Sequence, residues 1–290
     1  MRVGAVDIGT NSMRLLITDG VADAGRWERV TGLGRGVDAT GALSEAAIAE
    51  TLLALAEFGE LMRGHWVERR RAIGTSASRE ASNREDFFDA VEGVLGVRPE
   101  LINGDEEARL AYAGATSRFD GKPPVLVSDI GGGSTEFVTA DGGISIDIGS
   151  VRLTERAIPS RPALEGEMEA ARSLVGELFS GLSFPEVGSL IGVAGTWTEL
   201  PALAGIIRID ADPHLTSVTR TQLDAVVDLL SGFTVEKTIA LSLHPRRAPV
   251  ILAGLLIAQG VMEAAAVGEV VVSVRDSLDG VAAGLLAGQD

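Results

Sequence analysis

Residues 3–20 and 125–142 read as two copies of one unit, and this duplication restricts the possible folds more than any other feature of the chain. The first copy is VGAVDIGTNSMRLLITDG and the second VLVSDIGGGSTEFVTADG. Aligned without a gap, Val3/Val125, Asp7/Asp129, Ile8/Ile130, Gly9/Gly131, Ser12/Ser134, Asp19/Asp141 and Gly20/Gly142 are identical. Each copy has an apolar, β-prone run ending in Asp, a Gly turn carrying hydroxyl and amide groups, and a second apolar run. A repeated strand–turn–strand unit predicts two similar domains, each built on one copy.

The turn residues point to phosphate. Several backbone N–H groups can approach a phosphate oxygen only where no bulky Cβ stands in the way, which suits Gly9 and the run Gly131, Gly132, Gly133. Thr10, Asn11, Ser12, Ser134 and Thr135 add polar groups beside them. An Asp at the preceding strand end would repel phosphate unless a cation lay between, so Asp7 and Asp129 predict Mg²⁺ held partly through water. A single Asp-Ile-Gly reads first as a tight β-turn; the matched pair reverses this in favour of the ligand reading.

Composition narrows the rest. A chain of 290 residues, 46% apolar, can bury a large core and divides naturally into two domains. Cysteine is absent, which excludes disulfides and thiolate chemistry and suits a reducing cytoplasm. His65, His214 and His244 are scattered, with no metal-ligand spacing. One basic residue, Arg2, precedes an N-terminal apolar stretch that Asp7 interrupts, so no secretory signal is expected. The apolar run at 250–267 contains Gln259, Glu263, Gly254 and Gly260 and reads as a buried helix rather than a membrane span. A net charge of −16 opposes nucleic-acid binding, so any grip on phosphate must be local.

Alternating periodicities predict α/β architecture. Strands are expected at 3–8, 12–18, 26–32, 70–74 and 98–102, with helices at 44–63, after Asn83 and at 105–117. Ser44, Asn83 and Asp105 are the expected starts of those helices. A Gly-Lys-Pro-Pro break at 121–124 separates a first domain, 1–122, from a second, 123–290, with the last helix available to pack back on the first. The second half predicts strands at 125–130, 134–139, 144–148, 189–193 and 269–274, and helices at 165–180, 219–231 and 247–265. A cleft between the domains is the expected ligand site.

Three further segments fit such a cleft. Gly104-Asp105-Glu106-Glu107-Ala108-Arg109 opens a helix with three acids, one of which can take a proton from a water aligned on phosphorus; the residues alone leave open which. Residues 73–79 read as a strand end entering a polar loop, where Arg79 can fork onto phosphate oxygens. Gly192 and Gly195 form another strand-to-turn pair suited to close backbone approach.

Seven segments in order, VDIGTNS (6–12), GLGRGVDATGALSEAAI (32–48), GTSASREASN (74–83), GDEEARLAY (104–112), SDIGGGSTEF (128–137), GSVRLTER (149–156) and GVAGTWTEL (192–200), resemble the exopolyphosphatase and guanosine pentaphosphate phosphohydrolase family (Ppx/GppA). That family is similar in fold to the actin, sugar kinase and chaperone ATPase superfamily. The resemblance implies two ribonuclease H-like (actin-like ATPase) domains with mixed sheets flanked by helices. It implies Mg²⁺-dependent removal of the terminal phosphate of inorganic polyphosphate, with guanosine pentaphosphate (pppGpp) as the alternative substrate. Glu107 then matches the catalytic carboxylate, and Asp7, Asp129 and Glu136 the metal-side acids. Gly9, Thr10, Asn11, Ser12, Gly131, Gly132, Gly133, Ser134 and Thr135 match the phosphate cradle, and Arg79 the arginine on the chain. A cytoplasmic homodimer with no nucleic-acid or membrane partner is the corresponding expectation. An ordinary pKa of about 4.3 would keep Glu107 ionised at neutral pH.

Two departures accompany the match. Longer relatives append a further helical region, so short or medium chains are the expected substrate here. Pro249 and Val274 stand where relatives carry carboxylates. A kinase of the same superfamily and a non-catalytic polyphosphate- or alarmone-binding protein are the other classes the sequence admits.

Overall fold

The computed structural model describes residues 1–184 and 186–288. The chain forms two compact α/β units: one takes in residues 1–114 and the C-terminal segment from Ser277, the other Ala115–Asp276.

In the first unit, β1 (Val3–Ile8), β2 (Ser12–Thr18) and β3 (Asp23–Val30) form an antiparallel meander. α1 (Val37–Thr40) and α2 (Glu45–Gly64) follow, then β4 (Arg69–Gly74), α3 (Ser76–Glu80), α4 (Arg84–Leu95), β5 (Glu100–Leu101) and α5 (Gly104–Thr116). β4 pairs parallel with β1 and β5 parallel with β4, giving the order β3-β2-β1-β4-β5.

The second unit repeats the plan. β6 (Val125–Ile130), β7 (Thr135–Thr139) and β8 (Gly142–Ile146) form the meander, followed by α6 (Ser150–Ala157) and α7 (Glu165–Phe179). Next come β9 (Ser189–Val193), α8 (Ala194–Leu203), β10 (Thr216–Thr219), α9 (Arg220–Ser231), α10 (Val235–Ile239), α11 (Ile251–Ala264) and β11 (Glu269–Val272). The sheet order is β10-β11-β9-β6-β7-β8, with β9 parallel to β6 and to β11. α12 (Ser277–Leu286) closes the chain as part of the first unit. Two mixed sheets of matching order, each carrying one copy of the repeated hairpin, are the ribonuclease H-like arrangement of the actin-like ATPase class.

Strand alternation explains how the first sheet is covered. Val6, Ile8, Met13, Leu15 and Ile17 join Leu55 and Phe58 of α2 and Phe87 and Val91 of α4 in one core cluster. Val3, Ala5 and Leu16 face the other way and pack with Leu278, Val281, Ala282 and Leu285 of α12. Asp7 and Arg14 share the parity of this second set. In the other unit, α11 is buried nearly all round against α6, α7 and α9, which accounts for its largely apolar sequence. No helix among the described residues is long and apolar enough to cross a membrane.

Helix starts follow the expected chemistry with two corrections. Ser44 caps α2, its side chain accepting from Ala47 N. Asn83 precedes α4 but makes no cap bond; its amide instead pairs twice with the Leu43 backbone, at 2.9 Å each. α5 is capped not by Asp105 but by Asn103, whose Oδ1 accepts from Glu106 N at 2.9 Å. The segment 76–80, expected as loop, is the short helix α3, and α8 occupies the expected Gly192–Gly195 turn. α3 is too short for periodicity to reveal, and α8 is apolar on most sides.

Candidate phosphate site

The two turns are built alike. Gly9 N donates to Ser12 O at 3.1 Å, and Gly131 N to Ser134 O at 3.0 Å. A Cβ on Gly9 would lie 2.8 Å from Ser12 O, so the closed turn requires glycine. In the first unit the turn is braced by Thr31 N and Gly32 N on Asn11 O (3.0 and 2.9 Å) and by Gly34 N on Thr10 O (2.7 Å). Thr10 Oγ1 accepts from Ala77 N at 3.2 Å, which ties α3 to the turn. In the second unit the start of α6 does the bracing: Ser150 N donates to Gly131 O, and Val151 N and Arg152 N to Gly132 O, at 2.9, 2.9 and 3.2 Å. Gly149 makes this approach possible, since a Cβ there would lie 2.4 Å from the Gly132 carbonyl carbon.

Register then sets what faces each strand-end acid. Asp7 lies opposite Arg14, and Asp129 opposite Glu136, the equivalent position of the second copy. Arg14 Nη2 pairs with Asp7 Oδ2 and donates to Ser277 Oγ at 3.3 Å. Asp7 Oδ1 and Asn11 Oδ1 are buried acceptors without a hydrogen-bond partner. Glu136 is buried and accepts from Ser145 Oγ at 2.7 Å. Thr135 does not offer its hydroxyl to a ligand: the side chain is buried and donates to Ile148 O at 2.6 Å, so it fixes the hairpin. Ser134 is buried beside it.

The three acids of α5 have separate fates. Asp105 is exposed, Glu106 pairs with Arg71 of β4 at 2.8 Å, and Glu107 pairs with Arg79 of α3 at 2.7 Å. Arg79 Nη1 also donates to Ile102 O at 3.2 Å. Only 12% of the Glu107 side chain is exposed. Burial pushes its pKa above the ordinary carboxylate value; the Arg79 charge and hydrogen bond pull it back, Asp7 raises it further and Arg14 lowers it. The expectation of an ordinary pKa for Glu107 is therefore corrected. Asp7, the Thr10–Ser12 turn, Arg79 and Glu107 thus belong to one neighbourhood of the first unit, while the Gly131–Gly133 cradle, Asp129 and Glu136 belong to the second.

Among the described residues no three His, Cys, Asp or Glu side chains cluster as a metal cage. The residues present still fit Mg²⁺, which is usually held by one or two carboxylates while water and phosphate oxygens complete its shell. Asp7 Oδ1, with the open Asn11 Oδ1 on the same turn, supplies such a partial site.

Sequence reasoning missed Arg14, although the hairpin register alone places it across from Asp7. It also missed Ser277, which no local pattern connects to β2. At the two positions of the second departure, Pro249 O accepts from Arg161 Nη1 at 3.4 Å, and Val274 N donates to His214 Nδ1 at 3.4 Å. Arg247, in the same altered tail segment, is buried and pairs with Glu199 at 2.5 Å.

Duplicated sheets with paired glycine turns, and a desolvated glutamate beside one of them, fit an enzyme that acts on phosphate compounds. The chain belongs to the Ppx/GppA phosphatase family, whose model matches residues 20–287. It is 40% identical to Exopolyphosphatase 2 of Mycobacterium tuberculosis over 98% of each chain. Among solved structures, an exopolyphosphatase-like protein superposes with a TM-score of 0.93 at 33% identity, covering 99% of both chains. An Aquifex aeolicus PPX-GPPA enzyme gives 0.80 at 33% identity, again over 99% of both.

Proposed function

We propose that this protein hydrolyses the terminal phosphoanhydride of inorganic polyphosphate, releasing orthophosphate and a chain shorter by one unit. The observation that carries the reading is the pairing of desolvated Glu107 with Arg79 in the neighbourhood of Asp7 and its turn. The 40% identity to a mycobacterial exopolyphosphatase along almost the whole chain supports the substrate class.

Glu107 orients a water on the terminal phosphorus and accepts its proton as the new P–O bond forms and the bridging P–O bond breaks. Its raised pKa brings the carboxylate closer to the pH at which it must take that proton. Arg79 holds Glu107 through Nη1, and the rest of its five-donor fork serves the phosphate oxygens. The amides of Thr10 and Asn11 with the Ser12 hydroxyl in the first unit, and of Gly132 and Gly133 with the Ser134 hydroxyl in the second, are the donors for phosphate oxygens, whereas the expected Gly9 and Gly131 amides are used instead to close their turns on Ser12 O and Ser134 O. Asp7 would hold Mg²⁺ in the first unit, where the cation would neutralise charge developing on the phosphate oxygens, and Asp129 and Glu136 are the acids of the second unit's hairpin. Most of the rate enhancement then comes from positioning and charge neutralisation.

Phosphate release from medium-chain polyphosphate with Mg²⁺ tests this, comparing wild type with Glu107→Gln and running guanosine pentaphosphate in parallel. The expected result is a fall of about 10²–10⁴-fold in the variant with binding retained. A variant as fast as wild type refutes the base assignment. Saturable binding without release from either substrate refutes hydrolysis altogether.

A further inference from the structure

The divalent cation's one anchor in the first unit is already engaged by an arginine. Arg14 lies directly across the hairpin from Asp7 and its Nη2 pairs with Oδ2. Ser277 Oγ, at the start of α12, receives a hydrogen bond from the same Nη2 at 3.3 Å and so helps hold the guanidinium in place. The side chains are only 18% and 5% exposed, so solvent screens the pair weakly. The hairpin itself does not require arginine at this position, because the second copy carries Glu136 there.

A free divalent ion approaching Asp7 Oδ1 therefore meets a fixed positive charge, one shared carboxylate and no cluster of three ligating side chains among the described residues. A cation already bound to a phosphate chain differs on both counts. The phosphates supply the missing oxygen ligands, and their negative charge outweighs the repulsion from Arg14. We propose that the cation enters this site only as its complex with the phosphate chain, and that Arg14 is the positioning residue that keeps free cation off Asp7. The inference rests on the reading of the turns as phosphate cradles but not on turnover.

The test follows Mn²⁺ binding by electron paramagnetic resonance and, separately, tripolyphosphate binding by calorimetry with and without Mn²⁺. Both use the full chain carrying Glu107→Gln to limit cleavage. With Arg14 present, Mn²⁺ alone shows no binding that depends on Asp7, while Mn²⁺ strengthens tripolyphosphate binding. Arg14→Gln gains Mn²⁺ binding without phosphate, at least about tenfold tighter; adding Asp7→Asn removes the gain, and Arg14→Lys behaves like Arg14. Two results overturn the proposal: Mn²⁺ binding without phosphate that disappears on Asp7→Asn alone, or an Arg14→Gln protein that melts cooperatively and gains none. The first comparison needs no change at Arg14, so it decides even if Arg14→Gln fails to fold. A protein that binds the Mn²⁺–tripolyphosphate complex yet never releases phosphate would leave this inference standing while removing the hydrolase reading.

Discussion

Replacing Gly149 by alanine isolates how far the second cradle depends on one missing methyl group. Gly149 has φ −141° and ψ 177°, an extended conformation open to any residue, so backbone strain plays no part. The whole effect is steric: the new Cβ would lie 2.4 Å from the Gly132 carbonyl carbon, 2.5 Å from its oxygen and 2.6 Å from Gly133 N. Ordinary contact begins near 3.4 Å, so 3.4 minus 2.4 leaves a displacement of 1.0 Å to be taken up. Backbone lies on both sides, so the cradle and the start of α6 must separate. That weakens the three bonds from Ser150, Val151 and Arg152 to Gly131 and Gly132. Overpacking costs roughly 1–3 kcal/mol and the weakened bonds add part of about 1 kcal/mol each, for a total of about 2–4 kcal/mol. A unit of this size should then melt roughly 5–12 °C lower. A cradle moved by 1 Å costs on the order of 10²-fold in turnover. Differential scanning calorimetry and phosphate release with polyphosphate measure the two effects. Gly176→Ala is the control: it lies inside α7 with nothing within 4 Å of the added carbon, and it should be neutral or stabilising by up to about 1 kcal/mol. A Gly149→Ala protein that melts and turns over like wild type would refute the reasoning.

The pH profile carries the next prediction. Burial raises the Glu107 pKa, so the acid limb of kcat/KM should lie above the ordinary carboxylate range. Arg79 opposes that shift, so Arg79→Gln should move the limb to higher pH and Arg79→Lys should keep it near wild type; a limb that stays or moves down in Arg79→Gln counts against the pair. The same shift has a stability side. A carboxyl whose folded pKa is raised contributes stability below its unfolded value, and the contribution is lost as pH rises through the folded value, so Glu107→Gln should flatten the decline of stability on that interval in denaturant titrations. Finally, Asn83→Ala removes two hydrogen bonds to the Leu43 backbone and should cost about 1–2 kcal/mol in urea unfolding, with little change in KM.

Local features were legible without coordinates. The repeat, the hairpins at 3–18 and 125–139 and the glycines that close them obey short-range rules, because a turn needing close backbone approach admits few residues. The cap at Ser44 and the apolar stretch of α11 are local in the same sense. Asn83 and Asp105 were misread because a side chain suited to capping was drawn to another use, or a neighbour took the position.

Charge neutralisation across the fold was not legible. Asp105, Glu106 and Glu107 are adjacent and chemically alike in the sequence, and only Arg71 and Arg79, 35 and 28 residues away from their partners, tell the pairs apart. The inward turn of the Thr135 hydroxyl, the desolvation of Glu107 and the meeting of Arg14 with Ser277, 263 residues distant, arise in the same way. The amino-acid sequence by itself determined that two matched glycine turns exist and which residues form them, since turn geometry and strand alternation act over a few residues. Tertiary structure decided which carboxylate stays unpaired, which is desolvated and which is held by arginine, because burial and Coulomb interactions depend on distances in space.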